Sequence, residues 1–223
     1  MMEEQREDAA LKDSIWYRKV SGEIEQALKR SSSGAGSSAD CGAGSAAAGD
    51  LLRPVLVAID GPCTSGKTTL ARLLAGEFDC NVFHMDDFFL RPEQRTPERL
   101  AQIGGNVDYE RFQEEVLKPV LEGRPVCYRR YDCGQKTLAD QVLAPVRRLN
   151  LIEGSYSLHP YFGNCYDLAY CLAIDPEEQK MRILRRNGES MLERFVSEWI
   201  PKENAYLDTF KIRETADVLA PAE

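Results

Sequence analysis

Residues 54–69 read PVLVAIDGPCTSGKTT, and the fold turns on how this stretch is read. Residues 54–60 form a continuous apolar run that stops at a turn, as a strand buried on both faces of a parallel sheet does. Gly61-Pro62-Cys63-Thr64-Ser65-Gly66-Lys67-Thr68-Thr69 then satisfies G-x-x-x-x-G-K-[ST] without a mismatch, and residues 67–77 continue with helical spacing. Strand, glycine-rich turn and helix in that order make a phosphate cradle. Glycine lets the backbone curl until successive N–H groups point at phosphate oxygens, and the following helix adds its positive end. Lys67 is suited to neutralise the β- and γ-phosphates, and Thr68 to offer its hydroxyl to Mg²⁺. Gly61, Thr64, Ser65, Gly66 and Thr69 complete the nucleotide-binding loop. A nucleoside triphosphate is expected here, with ATP as the default phosphate donor.

Outward from the loop the chain alternates strand and helix. A second strand is expected over 81–85, further apolar runs end at Glu153 and Asp175, and a short one covers 216–220. Helical patterns fill 109–122, 176–187 and 189–210. Within the last of these, Trp199-Ile200-Pro201 is expected to end a core helix, because proline stops the pattern. The alternation predicts a three-layer α/β domain with a mostly parallel sheet. Toward the N-terminus, Ile15, Trp16, Tyr17, Val20, Ile24 and Leu28 share one helix face, with Asp13 or Ser14 as cap. That stripe is expected to pack back on the domain; the alternative is a partner. Between helix and domain, Ser, Gly and Ala fill 17 of the 20 positions 31–50, a composition that suits a flexible linker. The expected organisation is an amphipathic helix in 1–30, the linker in 31–50 and the α/β domain in 51–223.

Composition narrows the partners. Of the 223 residues, 43% are hydrophobic and 29% charged, which excludes a wholly disordered or collagen-like chain. Thirty-six acidic against 28 basic residues give a net charge of −8, which argues against general nucleic-acid binding and against an anionic membrane surface. No apolar run approaches the roughly 20 residues of a bilayer span. The opening MMEEQREDAA is acidic where a signal peptide would be basic and then apolar. Seven cysteines, an odd number without a C-x-x-C pair, point to scattered buried thiols in a reducing cytoplasm rather than to a disulfide framework or a zinc site.

The second strand runs into His84-Met85-Asp86-Asp87-Phe88-Phe89. Strand C-termini line the ligand crevice of open α/β sheets, so these carboxylates are expected to face it. A kinase acting on an alcohol needs a carboxylate to orient the hydroxyl and take its proton, and Asp86 or Asp87 could serve; a helix cap is the other reading. Arg182, Arg185 and Arg186 stand at i, i+3 and i+4 on one helix face. Such a face suits a transferring phosphoryl group if the helix closes as a lid, although exposed basic faces are often only solvated.

The cradle, the HMDDFF segment and the residues C-terminal to them resemble the uridine kinase and phosphoribulokinase group of P-loop kinases, most nearly its nucleoside kinases. The likeness continues through Asn106-Val107-Asp108, Phe112, Gly123, Tyr131-Asp132 and Glu153-Gly154, and covers nearly all of 51–223. It implies a three-layer P-loop kinase with a helical lid. By the same likeness Asp86 is the catalytic base with Asp87 in support, Asp108 holds sugar hydroxyls, and Tyr131 contacts the base. Glu153 joins Thr68 at Mg²⁺, and Arg182 and Arg185 act from the lid. A helix cap for Asp108 and a packed strand aromatic for Tyr131 remain the other readings, and Asp60 and Asp175 also end apolar runs where a metal carboxylate could sit. One departure lies at Asn187-Gly188-Glu189-Ser190, where uridine kinases usually carry an Arg- and Gly-rich lid extension. The implied reaction moves the γ-phosphoryl of ATP·Mg²⁺ to a nucleoside-like molecule, foremost the 5′-hydroxyl of uridine or cytidine in nucleoside salvage, with Lys67 and Asp86 central. The alternatives are the same chemistry on a nicotinamide riboside or pantothenate type of alcohol, or a nucleotide-dependent regulatory ATPase.

Overall fold

The computed structural model describes residues 2–32 and 53–219. Each expected apolar run is a strand: β1 (Val55–Asp60), β2 (Cys80–His84), β5 (Leu149–Glu153), β6 (Leu168–Leu172) and β7 (Asp217–Leu219). These five form one parallel sheet in the order β2-β5-β1-β6-β7. The remaining two, β3 (Val126–Asp132) and β4 (Thr137–Ala144), make an antiparallel hairpin that the apolar pattern does not announce. The reason is visible in its burial. On β3 only Val126, Tyr128 and Tyr131 turn inward, and a register shift between Arg129 and Tyr131 breaks the two-residue period.

The sheet separates two packed layers. Val55, Val57, Ile59, Leu149, Leu151, Tyr170 and Leu172 pack with helices α2 (Ile15–Ser32) and α3 (Lys67–Ala75). Leu56, Phe83, Ile152 and Cys171 pack with the helical segment 109–121, the hairpin and the C-terminal helix Ile200–Thr209. Alternate residues of each strand thus serve opposite layers, which is why β1 and β5 are buried throughout and read as unbroken apolar runs.

The stripe on α2 lies on the sheet. Tyr17, Val20, Ile24 and Ala27 are buried in the core. Ser14, not Asp13, caps the helix, its hydroxyl accepting the Tyr17 N–H at 3.2 Å. Polar pins fix the register: the hydroxyls of Tyr17 and Ser21 donate to Glu77 at 2.8 and 2.7 Å, and that of Tyr170 to Glu23 at 2.5 Å. A further helix, α1 (Met2–Asp13), precedes it, and Asp8 pairs with Arg72 of α3. Of the tract expected as a linker, residues 31 and 32 complete α2, and the rest lies outside the described residues.

Proline does not end the helix at 201. Phe195–Trp199 is a π-helical turn and Ile200–Thr209 continues as α-helix. The same device recurs where the π-helical Gln113–Leu117 precedes Pro119. A wider turn makes room for the proline ring and for the missing N–H, so the pattern passes through. The thiols are also less uniformly buried than expected: Cys165 and Cys171 are buried, whereas Cys127 and Cys133 are exposed. Among the described residues no helix is long and apolar enough to cross a membrane.

Candidate active site

Strands β2, β5, β1 and β6 are neighbours and parallel, so the loops leaving their C-terminal ends converge on one edge of the sheet. The loop after β1 carries the cradle. Gly61 has φ +132°, and a Cβ there would stand 2.4 Å from the Leu172 carbonyl oxygen, so only glycine lets the loop pass against β6. Thr64 and Gly66 also take positive φ, which completes the curl. Lys67, buried, points its ammonium back at the loop and donates to the carbonyls of Gly61 and Pro62 at 2.8 and 2.7 Å. The Ser65 hydroxyl is buried without a hydrogen-bond partner among the described residues. An orphaned donor inside a phosphate cradle is what a phosphate oxygen would satisfy. Thr69 lies one residue further along α3.

The Thr68 hydroxyl meets both carboxylate oxygens of Glu153, at 3.1 and 3.2 Å. Hydroxyl and carboxylate oxygens are the hard donors that Mg²⁺ prefers, with water and phosphate completing its octahedron, so this pair fits the ion by its chemistry. The two competing carboxylates are engaged elsewhere. Asp60, fully buried, accepts from the N–H groups of Gly61, Tyr156 and Leu158 and from the Tyr206 hydroxyl. Burial raises its carboxyl and those hydrogen bonds oppose the rise. Asp175 caps the helix Pro176–Asn187 through the N–H groups of Glu177 and Glu178. His84, the first residue of the HMDDFF segment, also joins the site: its Nδ1 stands 2.5 Å from Glu153 Oε1, and this contact holds the imidazole above its ordinary pKa. Its position at a strand end beside Asp86 is the only sequence signal that could have flagged it.

Asp86 and Asp87 follow β2 in a single helical turn, Met85–Phe88. Gly154, at φ +134°, brings the β5 loop against Met85, where a Cβ would stand 2.8 Å from the Met85 Cβ. Asp86 has an exposed outer surface, but desolvation by the protein around it pushes its carboxyl above the ordinary carboxylate range. The Lys67 charge opposes that rise, and Glu153 and Glu203 add to it. Asp87 is held instead, accepting from the Tyr128 hydroxyl at 2.9 Å and pairing with Arg130 at 3.3 Å.

The remaining candidates sort by geometry. Arg182 reaches the cradle, donating to the Thr64 carbonyl at 3.2 Å while its Nε meets Glu178 at 2.7 Å. Arg185, one turn along, is exposed and forms no hydrogen bond or ion pair with the loop among the described residues, and Arg186 bonds Asn187. Asp108 is 3% exposed; it caps the helix starting at Tyr109 through the Arg111 N–H and accepts from Gln94 at 2.8 Å. Tyr131 is buried, its hydroxyl meeting Arg95 at 3.2 Å, with the Arg95 guanidinium 5.8 Å from the ring centroid. Both Asp108 oxygens are therefore engaged, and the Tyr131 hydroxyl accepts from Arg95. An open cavity of about 220 Å³ lies between the 100–106 segment and the C-terminal helix, lined by Ile103, Asn106, Pro201, Lys202 and Ala205 among others.

No protein-family model matches the chain. Nor does any curated protein match it significantly. Solved structures do. A chain from Bacillus stearothermophilus described as a possible uridine kinase superposes with a TM-score of 0.60 at 20% identity, over 77% of this chain and 91% of that one. D-glycerate 3-kinase from Cryptococcus neoformans gives 0.60 at 13% identity, over 85% and 87%. Phosphoribulokinase from Rhodobacter spheroides gives 0.50 at 14%, over 75% and 70%. The chain has the fold of the uridine kinase and phosphoribulokinase group of P-loop kinases.

Proposed function

We propose that this protein is a Mg²⁺-dependent kinase that transfers the γ-phosphoryl group of ATP to a hydroxyl of a small molecule. One observation carries the reading: the cradle with Lys67, the Thr68–Glu153 pair and the open carboxylate of Asp86 leave adjacent strand ends on one edge of the sheet. In this reading the loop N–H groups, Ser65, Thr69 and Lys67 bind the phosphates. Thr68 and Glu153 hold Mg²⁺, which when bound supplies charge neutralisation on the phosphates. Asp86 orients the acceptor hydroxyl and takes its proton; a carboxyl pushed above the usual range is the better base for that task. Arg182 faces the transferring group from the lid helix, with Arg185 brought in on closure. Likeness to a possible uridine kinase supports a nucleoside acceptor, the 5′-hydroxyl of uridine or cytidine first.

A second reading is an acidic small alcohol, of the pantothenate type. Arg95 has no carboxylate partner among the described residues, and it covers the Tyr131 ring that a base would otherwise contact. The test is ATP consumption with product detection over a panel of nucleosides and hydroxy acids. Acceptor-dependent turnover supports the kinase; equal turnover without acceptor would show a regulatory ATPase instead. Asp86→Asn is expected to abolish transfer while ATP still binds, and undiminished turnover in that variant sinks the assignment of the base.

A further inference from the structure

Glu203 is a charged residue that the chemistry above does not use. It lies in the C-terminal helix, is 7% exposed, and forms no ion pair among the described residues. A buried carboxylate is costly unless hydrogen bonds or a countercharge repay its desolvation. Here both oxygens are engaged at the cradle. Oε2 accepts the Cys63 N–H at 2.8 Å and Oε1 accepts the Ser155 hydroxyl at 2.9 Å. One turn later Tyr206 donates to Asp60 at 2.6 Å, and Asp60 in turn accepts the Gly61 N–H. A single turn of the C-terminal helix therefore grips both the root of the loop and its third residue. From the lid helix, Gln179 holds the Cys63 carbonyl at 3.1 Å, so that residue is clamped at both its N–H and its C=O.

Ser155 connects this clamp to Lys67. Its hydroxyl has one proton and two acceptors in reach, Glu203 Oε1 at 2.9 Å and the Gly61 carbonyl at 3.1 Å. The ionised carboxylate wins that proton, because charge-assisted hydrogen bonds are the stronger ones. The Ser155 oxygen then turns its lone pairs toward Lys67 Nζ, 3.4 Å away. We propose that Glu203 is a positioning residue of the phosphate cradle: it fixes the Cys63 peptide and orients Ser155 so that the Lys67 ammonium is held at the mouth of the loop.

Glu203→Gln keeps the shape but has one acceptor oxygen where Glu203 has two. With that oxygen kept on the Cys63 N–H its NH₂ faces Ser155, the hydroxyl proton turns to the Gly61 carbonyl, and the Ser155 oxygen must be shared between the amide and Lys67. The proposal rests on the cradle being the kinase site, so two readouts are used. The first needs no turnover: trace acetylation of Lys67 by acetic anhydride, followed by mass spectrometry on the folded protein. Glu203→Gln and Ser155→Ala are each expected to raise the labelling rate several-fold, with the thermal midpoint of Ser155→Ala near that of wild type. The second is kinetic. Loss of a hydrogen bond to a charged group should lower kcat by about 10- to 100-fold in Glu203→Gln, with a smaller change in KM for ATP. The double variant should be no worse than either single one, since both act through one hydroxyl. Unchanged Lys67 labelling in both variants overturns the proposal, as do wild-type kcat in Glu203→Gln or additive losses in the double variant. If labelling shifts while wild type phosphorylates no acceptor, the kinase reading fails and the positioning role stands.

Discussion

Asp86 and Asp87 adjoin in the chain and part company in space. The first keeps an open face with its carboxyl pushed up by desolvation; the second is tied to Tyr128 and Arg130. Nothing in the dipeptide itself separates the two; the resemblance favoured Asp86 as the base, and in the structure Asp86 is the one whose carboxylate is not tied to Tyr128 and Arg130. The shift has a sign that can be checked. A base must be deprotonated, and a raised pKa keeps the proton on to higher pH. Activity should therefore fall as pH drops through a value above the ordinary Asp pKa of about 3.9. A profile of kcat/KM against pH measures this, and an acid limb at or below that ordinary value contradicts it. Thr68→Ala removes the hydroxyl facing Glu153 and should raise the Mg²⁺ concentration for half-maximal activity by about tenfold or more, read from a Mg²⁺ titration. Asp108 marks a limit of residue-level reading. Its cap of the helix at Tyr109, through the Arg111 N–H three residues on, was the other reading the sequence offered, whereas the Gln94 contact on its second oxygen comes only with the folded loop.

At the scale of elements, strand, cradle and helix over 54–77 were legible because local pattern and local geometry agree there. Gly61 adds a non-local reason for its glycine, the pressure of the β6 backbone. Gly61→Ala should abolish nucleotide binding, measured by titration calorimetry, because backbone rather than a movable side chain opposes the new Cβ. The helix Pro176–Asn187 was legible as a helix but not in its contacts. Three arginines share its face, yet only Arg182 reaches the loop. Arg182→Ala should lower kcat by about 10- to 100-fold, whereas Arg185→Ala should leave the unfolding free energy within about 0.5 kcal/mol and act only on turnover. The apolar pattern did not announce the β3–β4 hairpin, and within the helical pattern read over 189–210 the stop expected at Pro201 does not occur. A bulge breaks the strand period, and a π-helical turn accommodates a residue that ordinarily stops helices.

At the scale of the molecule, α2 completes the layer that α3 begins over the sheet. Ile24 is fully buried there, on the layer that packs with α3. Ile24→Ala should cost about 2–5 kcal/mol in urea unfolding while leaving kcat unchanged. A loss well under 1 kcal/mol would mean that the helix adds little to the core. By itself the sequence determined the α/β rhythm, the phosphate cradle, the candidate carboxylate after β2 and the amphipathic stripe of α2. Each of these is written in neighbouring residues, where periodicity and turn chemistry act over a few positions. Tertiary structure alone decided which carboxylate faces Thr68, which arginine meets the loop, and that Glu203 and Ser155 stand behind Lys67. Those choices depend on contacts between residues 48 to 140 positions apart, set by the order in which parallel strands are laid side by side, and no local pattern carries that order.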